Sequence, residues 1–133
     1  MHVLLVAPQQ GPWNDLANLL TQEECTVDRV DSFPLARKRL DTDSSVDLVI
    51  VDADCGDRNM LKLVAGVKGD IRLAAIPIIA AGLHFSQESL KCLLALKVEN
   101  VMVLPTDRTT LQAKIATTMR SGKRTVLLVD DEA

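Results

Sequence analysis

Aromatic side chains are almost missing from this chain of 133 residues: Trp13, Phe33 and Phe85 are the full set, and tyrosine is absent. A protein that stacks bases on aromatic platforms would have little to stack with, so direct nucleic-acid binding is not expected. Charge of one sign is missing too. The net charge is −3, with 15 Lys and Arg against 18 Asp and Glu, and the tight basic clusters are Arg37-Lys38-Arg39 and Lys123-Arg124. That footprint is thin for DNA, and Arg37 to Arg39 read as the solvated face of a helix. Cysteines number three, Cys25, Cys55 and Cys92, far apart and without CxxC spacing. An odd, dispersed set argues against both a disulfide framework and a structural zinc site. Cys25 and Cys92 read as small buried hydrophobes, and Cys55 has no adjacent cation to lower its pKa. His2 and His84 stand alone, without partners for a metal. Long apolar runs are also lacking. None approaches the roughly 20 residues that span a bilayer, and no charged leader precedes an apolar stretch with a cleavage site. The expectation is a cytoplasmic protein with reduced thiols and no membrane contact.

What is present is aliphatic. Hydrophobic residues make up 47% of the chain, enough to build a sizeable core. The length suits one compact domain and a short extra piece.

Short apolar runs alternate with amphipathic stretches along the whole chain. Val3 to Val6, Val46 to Val51, Ile76 to Ala81 and Val101 to Leu104 read as strands buried on both faces, the signature of a parallel sheet. Cys25 to Val30 alternates more weakly, as suits a strand nearer an edge. Between them, Trp13, Leu16, Ala17 and Leu20 form one apolar helical stripe, and Met60, Leu63, Val64 and Val67 repeat its spacing. Leu90, Leu93 and Leu94 follow Ser86, a suitable N-cap. Leu111, Ile115, Thr118 and Met119 form the last stripe, with Thr106 as cap and Asp107 in the first turn. A helix after Asp31 would be capped by Ser32 and started by Pro34, with Leu35, Ala36 and Leu40 turned inward.

Strand and helix therefore alternate five times. The architecture implied is α/β, a doubly wound parallel sheet, and the flavodoxin-like (βα)5 order 2-1-3-4-5 fits this length. In such sheets the chemistry gathers beyond the carboxyl ends of the strands, just after Val6, Val51, Ala81 and Leu104.

The two ends of the chain echo each other. Residues 3–10 read VLLVAPQQ and residues 126–133 read VLLVDDEA. The second copy follows the last helix after a short Ser121-Gly122-Lys123-Arg124 stretch that suits a domain boundary.

Val126 to Glu132 resembles the opening strand and acidic pair of a response-regulator receiver domain from two-component signalling. Residues 1–121 resemble a whole receiver, and 122–133 then read as a linker and the first strand of a second, truncated one. Asp47 to Asp52 is similar to the family's third strand and puts Asp52 at the phosphoacceptor position. Ile76 to Ala81 matches the fourth strand, and Leu104-Pro105 the end of the fifth, where the family carries lysine and then proline, commonly after a cis peptide.

The resemblance implies a set of groups that act together. An acidic pair helps hold Mg²⁺, which demands octahedral oxygen ligands. A hydroxyl and a lysine bind the phosphoryl oxygens, and the charged donor is worth the most. Here the pair falls on Ala7 and Pro8, the hydroxyl position on Gly82, and the lysine position on Leu104. Asp52 alone keeps its role. Mg²⁺ binding should therefore be weak, with no metal site in the complete domain; Asp130 and Asp131 would be the metal ligands of the truncated second receiver. Asp54 and Asp57 add only a solvated acidic loop, and Asp52 itself reads as a solvated or hydrogen-bonded remnant.

The function implied is that of a pseudo-receiver, not an enzyme, acting in phosphorelay signalling through protein–protein contacts. Its partners would be a histidine kinase, other signalling proteins and the adjacent receiver. The surface of helix 4, strand 5 and helix 5 would serve partner or homodimer contacts. One alternative is a receiver still phosphorylated on Asp52 with a relaxed site. Another is a small-molecule-binding flavodoxin-like domain, which requires an apolar cavity near Ala7, Gly82 and Leu104. The 126–133 piece could extend the last helix, fray or pair with another molecule's sheet.

Overall fold

In the computed structural model the described residues are 1–43, 45–53 and 58–131, the side chains of 58, 59 and 121–131 excepted. Five strands, β1 (His2–Val6), β2 (Thr26–Val30), β3 (Leu48–Asp52), β4 (Ile78–Gly82) and β5 (Asn100–Val103), alternate with five helices. These are α1 (Gly11–Gln22), α2 (Phe33–Thr42), α3 (Arg58–Gly69), α4 (Gln87–Ala95) and α5 (Arg108–Asp131). Every strand pairing is parallel and the order is β2-β1-β3-β4-β5. This is the flavodoxin-like arrangement that the alternation of patterns predicts.

Each strand divides its side chains between two cores. Leu48 and Ile50 join Val3, Leu5, Trp13, Leu16, Leu20 and Leu111 on the α1/α5 face. Val49 and Val51 join Leu4, Val6, Ala36, Leu63, Val64 and Val67 on the other. β3 and β4 are buried along their whole length, which explains their unbroken apolar runs. On β2, at an edge, only Val30 is fully buried.

The helical stripes fall where their spacing puts them. Trp13, Leu16, Ala17 and Leu20 are buried on α1, and Met60, Leu63, Val64 and Val67 on α3. Ser32 caps α2 by accepting from the Leu35 amide, and Ser86 caps α4 by accepting from the Ser89 amide at 3.0 Å. Leu35, read as turned inward, and Leu94, read as part of the α4 stripe, are exposed instead, since they fall beside rather than on the packed side of their helices. Three further details differ from the sequence reading. Asp107, not Thr106, caps α5: its Oδ1 accepts from the Thr110 amide at 2.7 Å, because the helix begins one residue later than read. β4 begins at Ile78, since Pro77 has no N–H to offer a ladder. Cys92 is exposed, because α4 turns Leu93 into the core and leaves its neighbour outside.

α5 continues through 126–131, so this run has helical backbone in the single chain rather than strand. A strand needs a neighbour for its backbone groups, and here the helix supplies those bonds. Its assignment to a second domain rests on its sequence.

The Arg37-Lys38-Arg39 run is more than a solvated face. Arg39 pairs with Asp28 of β2 at 2.5 Å. Arg37 reaches Asp70 at 2.8 Å, and Asp70 also takes Arg72 at 2.9 Å, tying α2 to the turn after α3. Hydrogen bonds from Arg72, with the Arg72 charge and a bond from Arg37, hold the Asp70 carboxyl at about 2. A lowered carboxylate pKa stabilises the fold above about pH 4, where the unfolded group is ionised, and that contribution disappears as pH falls through 2. Asp70→Asn should therefore flatten the acid limb of Tm against pH between about 4 and 2. An unchanged limb in thermal melts would remove Asp70 from this account.

Gly66 lies inside α3, where a Cβ would meet the Nη1 of Arg37 at 3.2 Å. That atom ends a flexible side chain and can shift slightly. Gly66→Ala should then raise stability by about 0.5 kcal/mol through its helix propensity, read as a small increase in the urea midpoint.

Candidate functional site

The carboxyl ends of β1, β3, β4 and β5 bring the expected residues together. Asp52 is the last residue of β3 and pairs with Ala81 of β4. Val6 pairs with Val51, which sets Ala7 beside Asp52. Gly82 pairs with Val103, which sets Leu104 next in line. The ladder runs on past the strands: the Ala53 amide donates to the Ala81 carbonyl at 2.8 Å, Leu104 to Gly82 at 2.8 Å, and Ala7 to Val30 at 3.0 Å. The Leu104–Pro105 peptide is cis, as the position implies.

The environment is apolar. Ala7 and Leu104 are each 3% exposed, packed in one cluster with Trp13, Ala81 and Leu111. Leu104 thus fills space where a charged side chain would otherwise reach. Asp52 is 7% exposed, so of the two readings, solvated or hydrogen-bonded, the first does not hold. It is partnered within the fold. Burial follows from its place on β3, whose every residue is enclosed by β1 and β4.

Ala7 and Pro8 carry no side-chain oxygen, Gln9 and Gln10 are exposed and neutral, and among the described residues no group of three His, Cys, Asp or Glu could hold a metal ion. Asp54, Cys55 and Asp57 lie outside the described residues, as do the side chains of Asp130 and Asp131. Described residues line two grooves. One groove runs between α3 and α4, lined by Met60, Leu61, Ala65, Cys92, Ala95 and Leu96. Another, of about 320 Å³, lies between α4 and β5, lined by Leu90, Leu93, Leu94, Val98 and Val101. The sequence reading missed both, because a groove is made by the spacing between elements.

The helix-and-sheet geometry has close counterparts among solved structures. A CheY-like response regulator receiver domain protein from Methanospirillum hungatei superposes with a TM-score of 0.79 at 14% identity, over 93% of this chain and 97% of its own. The chain has the receiver fold. A signal receiver domain of a histidine kinase from Clostridium thermocellum matches with a TM-score of 0.76 at 17% identity, over 89% of this chain and 96% of its own. Another, from Syntrophus aciditrophicus, matches with 0.77 at 19%, over 92% of each chain. No family model and no curated protein matches at the level of sequence. At such identities the receiver fold is shared, while the chemistry of its strand ends must be judged from the residues themselves. Among the described residues, no helix of this receiver fold is long and apolar enough to cross a membrane.

Proposed function

We propose that this domain is a pseudo-receiver: a regulatory module of two-component signalling that works by protein contact and catalyses no reaction. The observation that carries the reading is the apolar packing of Ala7 and Leu104 beside a buried Asp52. Phosphoryl transfer to a carboxylate depends on charge neutralisation of the transferring group, and pre-placed donors and a metal supply most of it. Here the acidic pair, the hydroxyl and the lysine are replaced by Ala7 and Pro8, Gly82 and Leu104. Mg²⁺ binding is accordingly weak.

The partners proposed are a histidine kinase, other signalling proteins in the cytoplasm, and a second receiver opening at Val126 to Asp131. The face built from α4, β5 and α5 is the proposed contact surface, since Leu94 is 72% and Val103 59% exposed on it. The alternative, a relaxed but working phospho-receiver, is favoured by Asp52 itself, which stands at the strand end the chemistry requires. The small-molecule reading needs a cavity at Ala7, Gly82 and Leu104, whereas Ala7 and Leu104 are buried in the α1/α5 core.

Titration with a beryllofluoride phosphoryl analogue and Mg²⁺, followed by amide NMR, separates the two readings. The pseudo-receiver should show no saturable shift near Asp52, and Asp52→Asn should behave as the parent does. Saturable binding abolished by Asp52→Asn would establish the phospho-receiver instead.

A further inference from the structure

Arg29 lies where β2 meets the core without a partner for its charge. Alternation along the strand puts it on the face of Cys25 and Val27, both packed against the α1/α5 core. Its neighbour across the ladder is the fully buried Leu5. Two nitrogens of its guanidinium, Nε and Nη2, are enclosed and make no hydrogen bond among the described residues. The acids nearest in sequence do not neutralise it. Asp28 projects from the opposite face of the strand and holds Arg39 at 2.5 Å. Asp15 and Asp31 are exposed, and neither forms an ion pair with Arg29. A charged donor taken from water without a partner forfeits its hydration with nothing in return.

A second source of positive potential stands at the same end of the sheet. α1 starts there; its N-cap residue Gln10 makes no side-chain cap bond, and its first turn contains no acid. The positive end of the α1 dipole is therefore left without a carboxylate from its own first turn.

We propose that Arg29 anchors a binding site for a small dianionic oxyanion, of the inorganic phosphate class, between β2 and the start of α1. Nε and Nη2 form the fork that holds two oxygens of such an ion side by side. The third nitrogen, Nη1, is not enclosed with the other two. An ion arriving from solvent meets the guanidinium there, and a turn of the side chain brings the fork onto it. A dianion is drawn by both positive sources at once, where a single carboxylate answers only one. Because the ion binds the folded chain and supplies the missing partner, it stabilises that state. Asp52 takes no part: it ends β3, two strands from β2.

The test titrates the full chain with inorganic phosphate, with acetate and chloride as controls at matched ionic strength. Phosphate should shift the Arg29 Nε–H resonance and the amides of β2 and the start of α1 in a saturable way. It should bind at least about tenfold more tightly than acetate, and raise Tm by about 5 °C at roughly ten times its dissociation constant. Arg29→Met should abolish both responses. In chloride alone that variant should melt no lower than the parent, since an apolar side chain replaces an unpaired buried charge. Arg29→Lys keeps the charge without the fork and should bind at least about tenfold more weakly than the parent. Asp52→Asn should bind phosphate as the parent does, so this outcome is separate from that of the pseudo-receiver reading. Equal responses to phosphate, acetate and chloride would overturn the site, as would phosphate binding that survives Arg29→Met or disappears in Asp52→Asn. An Arg29→Met chain that melts lower in chloride would also overturn it, by showing that the guanidinium is already satisfied.

Discussion

A chain carrying Ala7→Asp, Pro8→Asp, Gly82→Thr and Leu104→Lys together should accept a phosphoryl group at Asp52 at least about 100-fold faster than the parent, because removing even one pre-placed donor from such a site typically costs 10²- to 10³-fold. Asp52 occupies the end of β3, with Ala7 just past the neighbouring β1 and Leu104 just past β5, one strand further along, so the substitutions place charge around a carboxylate already in position. The restored acids would give Mg²⁺ an oxygen set that Ala7 and Pro8 do not, and the lysine would face the phosphoryl oxygens. Single replacements should not achieve this. Leu104→Lys alone exchanges a side chain 3% exposed among Trp13, Ala81 and Leu111 for an ammonium without the rest of the charged set, and should cost about 1–3 kcal/mol in packing. Incubation with a small-molecule phosphoryl donor and Mg²⁺, followed by intact mass, measures the gain. If the parent chain takes up phosphate as fast as the fourfold variant, the pseudo-receiver reading fails.

The second large effect concerns stability. Glu99 fastens three elements at the opposite end of the sheet. Its Oε1 accepts from the Ile78 amide at the start of β4 at 2.8 Å, and both oxygens take the Lys68 ammonium of α3, at 2.6 and 2.5 Å. Lys68 and Glu99 side chains are 14% and 19% exposed, so neither bond is well replaced by water. Glu99→Ala leaves a half-buried ammonium and an unpaired backbone N–H, and should cost about 2–4 kcal/mol. Lys68→Met should cost less, about 1–2 kcal/mol, because Glu99 keeps its bond to Ile78. Urea unfolding of both single variants and the double gives the coupling between them. A fully additive double variant would show that the pair contributes nothing as a pair.

Much of this protein was legible without coordinates because its signals are periodic. The two-faced strands, the stripes at Trp13, Leu16 and Leu20 and at Met60, Leu63 and Val67, and the caps at Ser32 and Ser86 follow from local stereochemistry and apolar spacing. So did the position of the substituted residues, since Ala7, Pro8 and Leu104 follow strands, Gly82 ends one, and the parallel topology places strand ends together. Less was legible wherever position depended on a neighbour. Asp52 read as a solvated or hydrogen-bonded remnant, and the choice between the two was not legible, because exposure at a strand end depends on what the flanking strands place over it.

The sequence by itself determined the doubly wound fold and which chemical groups are missing from the strand ends. Periodicity and residue identity are properties of the chain, and no packing arrangement can restore an absent carboxylate or lysine. Tertiary structure alone decided the rest: that Leu104 and Ala7 pack into an apolar cluster beside Asp52, and that Glu99 and Asp70 fasten separate elements. Each of these joins residues far apart in the chain, and distance along a chain carries no record of distance in space.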